Sequence, residues 1–77
     1  MSGGRVPLDE RHELVRSISI VLARKNGAHA SAYWRGMARR LLRLSMALGA
    51  SREAAEAELH RLLDKVLREI TQRQLAA

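Results

Sequence analysis

A chain of 77 residues with a net charge of +6, 47% apolar and only 3% aromatic, without a single cysteine, makes one small domain with a marginal core, because a chain this size buries only about 60–65% of the surface it exposes when unfolded. The missing cysteine excludes disulfide staples and thiolate metal sites and fits a reducing compartment. No run of about 18 apolar residues is present and Met1–Val6 has no hydrophobic stretch of the signal-peptide kind, so a cytoplasmic protein with no membrane partner is the expectation.

Met1–Val6, MSGGRV, is Gly-rich and too polar to pack. Residues 1–8 are therefore expected to form a disordered lead-in to a single helical domain over 9–72, with 73–77 fraying beyond it. Pro7 and Asp9 announce the first helix, predicted over 9–25. Asp9 stands at the N-cap, Glu10 and Glu13 in the first turn, and Arg24 and Lys25 in the last, which suits the helix dipole at both ends. Leu14, Val15, Ile18, Val21 and Leu22 cluster within about 120° of arc as its core stripe. Ile20 falls on the far side, near Glu13 and Arg16, and is a candidate contact for a homo-oligomer.

Asn26-Gly27 is a stop signal, since Gly tolerates the left-handed conformation of a C-cap. The second helix begins between Ala28 and Ala32, with Ser31 as a candidate cap, and is predicted over 30–48. Leu48-Gly49-Ala50-Ser51 then places a Gly just past the last periodic residue and a Ser at the next N-cap, a tight αα turn. In the third helix, predicted over 52–72, Ala55, Leu59, Leu62, Leu63, Val66, Leu67 and Ile70 form a continuous apolar face. Its outer face alternates in sign at i, i+4 spacing: Arg52 to Glu56, Asp64 to Arg68, Lys65 to Glu69, Glu69 to Arg73. The fold class is all-α: a small three-helix bundle with antiparallel neighbouring helices, in which a dimer would add burial that the core lacks.

The positive charge belongs to the second helix. Residues 9–25 carry Arg11, Arg16, Arg24 and Lys25 against Asp9, Glu10 and Glu13, a net +1. Residues 51–73 balance five bases with five acids, and residues 26–50 hold four arginines and no acid. With Trp34 as origin and about 100° per residue, Met37, Leu41, Leu44 and Leu48 fall on one side with Ala38 and Ser45 between them, while Arg35, Arg39, Arg43 and Arg40 fall between about 100° and 240° on the other. A solvated face normally mixes signs, and this one does not. Trp34, at the centre of the apolar side, reads as core rather than as a base-stacking platform. Gly36 costs about 1 kcal/mol relative to Ala and would mark a close helix approach.

Leu48-Gly49-Ala50-Ser51 followed by Leu59-His60-Arg61 resembles the helix-turn-helix of bacterial sigma-factor region 4, in which Leu-Gly-x-Ser in the turn precedes Leu-His-Arg at this spacing. The likeness covers about 18 residues, Leu44 to Arg61. It implies Arg52, Glu53, Glu56 and Ala57 as base-facing positions. Two of those four are acidic and repel phosphate, and the helix before the turn is longer than in that family.

No other chemistry-bearing pattern emerges. His60 has Glu56 and Asp64 one turn to either side, yet such a triplet on an exposed helix is an ordinary set of polar neighbours, and no metal is expected. The serines lack a Gly-x-Ser-x-Gly setting and no Gly-rich phosphate loop is present, so neither an enzyme, a cofactor nor a small-molecule substrate is expected. Two functions fit. In the first, a non-catalytic regulator or inhibitor docks Arg35, Arg39, Arg40 and Arg43 on an acidic protein surface, with Met46 and Leu42 as flanking apolar anchors. In the alternative, the same face binds DNA or RNA through phosphates without base readout. The protein partner is preferred, because the acids of the first and last helices leave only one cationic face.

Overall fold

Pro7, with φ −57° and ψ 149°, sets up a single 3-10 turn, Leu8–Glu10, which closes through Glu10 N–H to Pro7 O at 3.0 Å and Arg11 N–H to Leu8 O at 3.2 Å. The chain is seen here in a computed structural model that describes residues 6–76. Extended backbone at Arg11 separates the turn from helix α1, His12–Ala23. The expected N-cap at Asp9 is therefore corrected: Asp9 makes no capping bond, and its carboxylate faces Arg61 at 3.6 Å. Leu8 corrects the boundary of the disordered lead-in as well, being a core residue at 2% exposure. Residues 1–5 of that segment lie outside the described residues. Burying a leucine stabilises by about 1.5–3 kcal/mol, against about 1 kcal/mol for a side-chain cap, and the bend at Arg11 favours the burial.

α1 ends at Ala23, so Arg24 and Lys25 stand just past its last turn rather than in it. Gly27 takes φ +52° and already opens α2, Gly27–Ala47, with Asn26 at the N-cap. His29 and Ala30 donate to Asn26 O. Ser31 lies inside the helix, and its role as a cap is corrected. Lys25 Nζ sits 5.6 Å from the centre of the Tyr33 ring, a cation–π contact that closes this corner.

The second turn forms as predicted. Gly49 adopts φ +109°, Gly49 N–H donates to Met46 O and Ala50 N–H to Ser45 O, both at 3.0 Å, which is the double bond pattern of a Schellman C-cap. Ser51 Oγ then accepts from Ala54 N–H at 3.1 Å and caps helix α3, Arg52–Ala76. α3 runs on past residue 72, where its end was expected. Arg73 pairs with Glu69 at 3.1 Å and Thr71 Oγ1 donates to Leu67 O.

The result is an all-α three-helix bundle with α3 at its centre, packed against the 3-10 turn, α1 and α2, while α1 and α2 meet least. Val15, Ile18 and Leu22 from α1, Leu41 from α2, and Ala55, Leu59, Leu62 and Val66 from α3 join Leu8 as the buried apolar set. Trp34, Met37, Ala38, Leu42, Leu14 and Ile70 pack around it, half-buried. Two serines fill close-approach positions: Ser19 Oγ donates to Val15 O at 2.6 Å and lies 3.5 Å from Val66 O on α3, and Ser45 is 1% exposed. Four residues expected in the core are not there: Val21, Leu44, Leu48 and Leu67 are 37, 47, 58 and 49% exposed. With α3 as the shared neighbour, each other helix presents only a narrow arc to it, and the flanks of each apolar stripe stay outside. The Cα radius of gyration, 13.2 Å, exceeds the about 11.5 Å of a compact chain of this length, in keeping with such an open arrangement.

Three substitutions test this packing. Ser45 Oγ is buried without a hydrogen-bond partner among the described residues, so Ser45→Ala is expected to raise stability by about 1 kcal/mol, or roughly 4–8 °C in Tm, whereas Ser19→Ala, which removes a bonded hydroxyl, brings no gain. Gly36 has open space where a Cβ would sit, which corrects the expectation of a close helix approach there. Gly36→Ala should stabilise by about 0.5–1 kcal/mol. Thermal unfolding of the three variants checks both.

Candidate partner-binding face

α2 carries Arg35, Arg39, Arg40 and Arg43 and no acidic residue over its 21 positions. All four arginines are exposed, and they point away from the buried Leu41 and Ser45 that seat the helix on the core. Arg35, Arg39 and Arg43 form one i, i+4 row about 12 Å long, with Arg40 beside it. Among the described residues none of the four has an ion pair or a side-chain hydrogen bond. The arginines of α3 behave otherwise: Arg52 meets Glu56 at 3.2 Å, Arg68 meets Asp64 at 3.4 Å and Arg73 meets Glu69 at 3.1 Å. Such exposed pairs contribute only about 0.3–0.5 kcal/mol each, yet they neutralise the surface they lie on, and α2 has no acidic residue of its own to do so. Like charges one turn apart cost about as much as opposite ones gain.

Apolar residues border the cationic row on both sides. Met46, three positions after Arg43, is 42% exposed, and Leu42 beside it is half-buried against the core. On the other flank stand the exposed Leu44 and Leu48. The structure thus places the five predicted partner-binding residues, Arg35, Arg39, Arg40, Arg43 and Met46, on one outward face of one helix. Ile20 is 37% exposed on α1, in a stretch of surface it shares with Glu13 and Arg16 and, just past the end of the helix, Arg24.

A groove of about 370 Å³ opens between α2 and α3, lined by Trp34, Ala38, Glu56, Leu59 and His60. Trp34 is half-buried there and packs on the core, as its place on the apolar side of α2 leads one to expect. The residues around His60 are turned to other work: Glu56 holds Arg52 and Asp64 holds Arg68. Of the positions implied by the helix-turn-helix likeness, Arg52, Glu53, Glu56 and Ala57 are all exposed, but the one cation among them is already neutralised by Glu56.

Two features escape the sequence reading. A cleft of about 340 Å³ lies between the start of α1 and the second half of α3, lined by Asp9, His12, Val15, Arg16, Lys65, Arg68, Glu69 and Gln72. Its charges are mixed, and Asp9, Arg68 and Glu69 are each held in an ion pair. It exists because the 3-10 turn folds Asp9 onto α3, a tertiary event with no local signal. The other is Glu58, a carboxylate only 6% exposed. The signal was present: Glu58 falls three residues after Ala55 and four before Leu62, on the apolar arc of α3.

Residues 6–77 match the model of a family of unknown function, DUF6074. No curated protein and no solved structure matches the chain. No helix among the described residues is long and apolar enough to cross a membrane.

Proposed function

We propose that this chain, which belongs to the DUF6074 family, is a non-catalytic helical regulator or inhibitor that docks the arginine face of α2 on an acidic protein partner in the cytoplasm. The observation that carries this reading is the contrast between two helices of one small domain. α3 pairs Arg52, Arg68 and Arg73 with its own carboxylates and Arg61 with Asp9 of the 3-10 turn, and α2 leaves Arg35, Arg39, Arg40 and Arg43 unpaired among the described residues. A row of guanidinium groups without internal partners repels itself, and carboxylates on another molecule relieve that repulsion while supplying charge-assisted, two-pronged hydrogen bonds. Met46 and Leu42 give the contact an apolar margin of the kind that anchors protein interfaces. Phosphate binding would use the same arginines but gains nothing from an exposed methionine and leucines, so a nucleic acid is the second reading.

Arg39→Glu with Arg43→Glu is expected to leave stability within about 0.5 kcal/mol of wild type, since both side chains are exposed, and to abolish capture of the partner from a nuclease-treated host lysate. Capture that survives the charge reversal overturns the proposal. Titration of a random-sequence duplex over a range of salt separates the second reading. A log–log slope near the number of phosphates neutralised, about three or four here, together with tolerance of Arg→Lys, assigns the face to nucleic acid. A protein partner gives a shallower slope and a larger loss with Lys. Self-association through Ile20 belongs to the same proposal. Sedimentation at micromolar concentration is expected to show a dimer that Ile20→Glu dissociates, and a monomer unaffected by the substitution removes this element.

A further inference from the structure

α2 and its C-cap residue, Leu48, carry a second pattern beside the arginines. Ala30, Trp34, Met37, Leu41, Leu44 and Leu48 follow one another at alternating spacings of four and three, the a/d seam of a coiled-coil helix. The bundle covers only one edge of that seam. Leu41 is buried at 9% exposure, Trp34 and Met37 are half-buried, and Leu44 and Leu48, at 47 and 58%, are the most exposed of the set. One exposed leucine is ordinary. Two in succession, Leu44 in the last turn of α2 and Leu48 at its C-cap, continue a seam whose first half is packed and stand about half exposed.

The residue at the border of that row is a cation. Arg40 is three positions after Met37 and four before Leu44, so it adjoins both on the helix surface, and Arg43 lies one turn behind it. Neither has an ion pair among the described residues. A second copy of α2 laid on this row would bring Arg40 and Arg43 toward their own equivalents, and a nucleic acid would satisfy the arginines while leaving the leucines in water. An occupant with its own apolar stripe bordered by carboxylates satisfies both.

We propose that this open edge of α2 receives an amphipathic α-helix of the partner protein, its apolar row on Met37, Leu44 and Leu48 and its acidic margin on Arg40 and Arg43. The inference rests on the reading of the arginine face as a protein-docking surface and specifies the partner's form. It is helix-on-helix recognition, in which spaced apolar anchors fill the seam and flanking charges set orientation.

The probe is a labelled synthetic peptide of about three heptads with Leu at a and d and Glu at e and g, titrated with the full chain by fluorescence anisotropy. Saturable binding is expected, lost when the flanking Glu are replaced by Lys. Leu44→Gln with Leu48→Gln should weaken it about tenfold or more, while Leu75→Gln, at an 81% exposed site near the end of α3, leaves it unchanged. Circular dichroism melts verify that the double variant is folded, and Leu44→Ala alone, which keeps helix propensity, is expected to weaken binding in the same direction. Binding of the Leu/Glu peptide that is absent, or that the leucine substitutions do not alter, overturns the inference. So does equal affinity for a poly-glutamate of the same length: loss of that affinity on Arg39→Glu with Arg43→Glu would then leave the arginine face standing as a purely electrostatic dock.

Discussion

Every other element of this protein reaches the core by way of α3. Leu8, α1 and α2 each pack on it, and α1 and α2 meet each other least. The arc Ala55, Leu59, Leu62 and Val66 is therefore the surface against which the rest of the chain must fit. It accommodates close neighbours because small residues face it: Ser19 on α1 approaches Val66 O to 3.5 Å, and Ser45 on α2 is 1% exposed. A core of nine apolar side chains, none of them aromatic, depends on such closeness, since dispersion falls off within about an ångström of gap. The same geometry decides what stays outside. With most of the packing directed at α3, the flanks of the apolar stripes, Val21, Leu44 and Leu48 among them, remain at the surface.

The local grammar of the chain accounts for the elements. Three apolar periodicities of 3.6 give three helices, and the α2–α3 turn follows from two residues, Gly49 with its positive φ and Ser51 with its capping oxygen. The places where the reading departs from the structure share one cause. Asp9 has the residue type and position of an N-cap, yet the favourable burial of Leu8 and the charge of Arg61 draw the segment into a 3-10 turn. Leu44 and Leu48 have the periodicity of core residues, yet α2 packs chiefly on α3 and meets α1 only slightly, so part of its stripe stays outside. Periodicity records which residues of a helix share a side; how much of that side is covered depends on the partner's curvature and position, which no local window contains. The arginine face was legible because its signal is an absence of acids, a property of composition that packing does not alter. Glu58 was legible in principle, by its place on the arc of α3.

Electrostatics separates the helices as clearly as packing does. α3 alternates its charges so that Arg52, Arg68 and Arg73 each have a carboxylate one turn away, and that face is self-sufficient. On α2 the repulsion among Arg35, Arg39, Arg40 and Arg43 is tolerated because the helix is anchored elsewhere, by Leu41 and Ser45 in the core, by the cation–π contact of Lys25 with Tyr33 at one end and by the Gly49 cap at the other. Gly36, at the centre of the stripe with open space over its backbone, further lowers the helix's intrinsic stability. A segment that accepts both a like-charge row and a mid-helix glycine has local stability below what its length permits.

That deficit bears on how the chain would respond to a ligand on α2. A domain of this length has a total stability of roughly 4–11 kcal/mol at typical values per residue, so interactions of 1–3 kcal/mol are a sizeable share of it. A ligand that binds only the folded chain adds about 2.7 kcal/mol at a hundred times its dissociation constant. If it binds α2 it adds that energy to the helix least supported from within, quenching the arginine repulsion and covering Leu44 and Leu48 in one step. Under the proposed docking, folding and recognition would be linked through α2, and a partner that neutralises the stripe would also stabilise the helix that presents it.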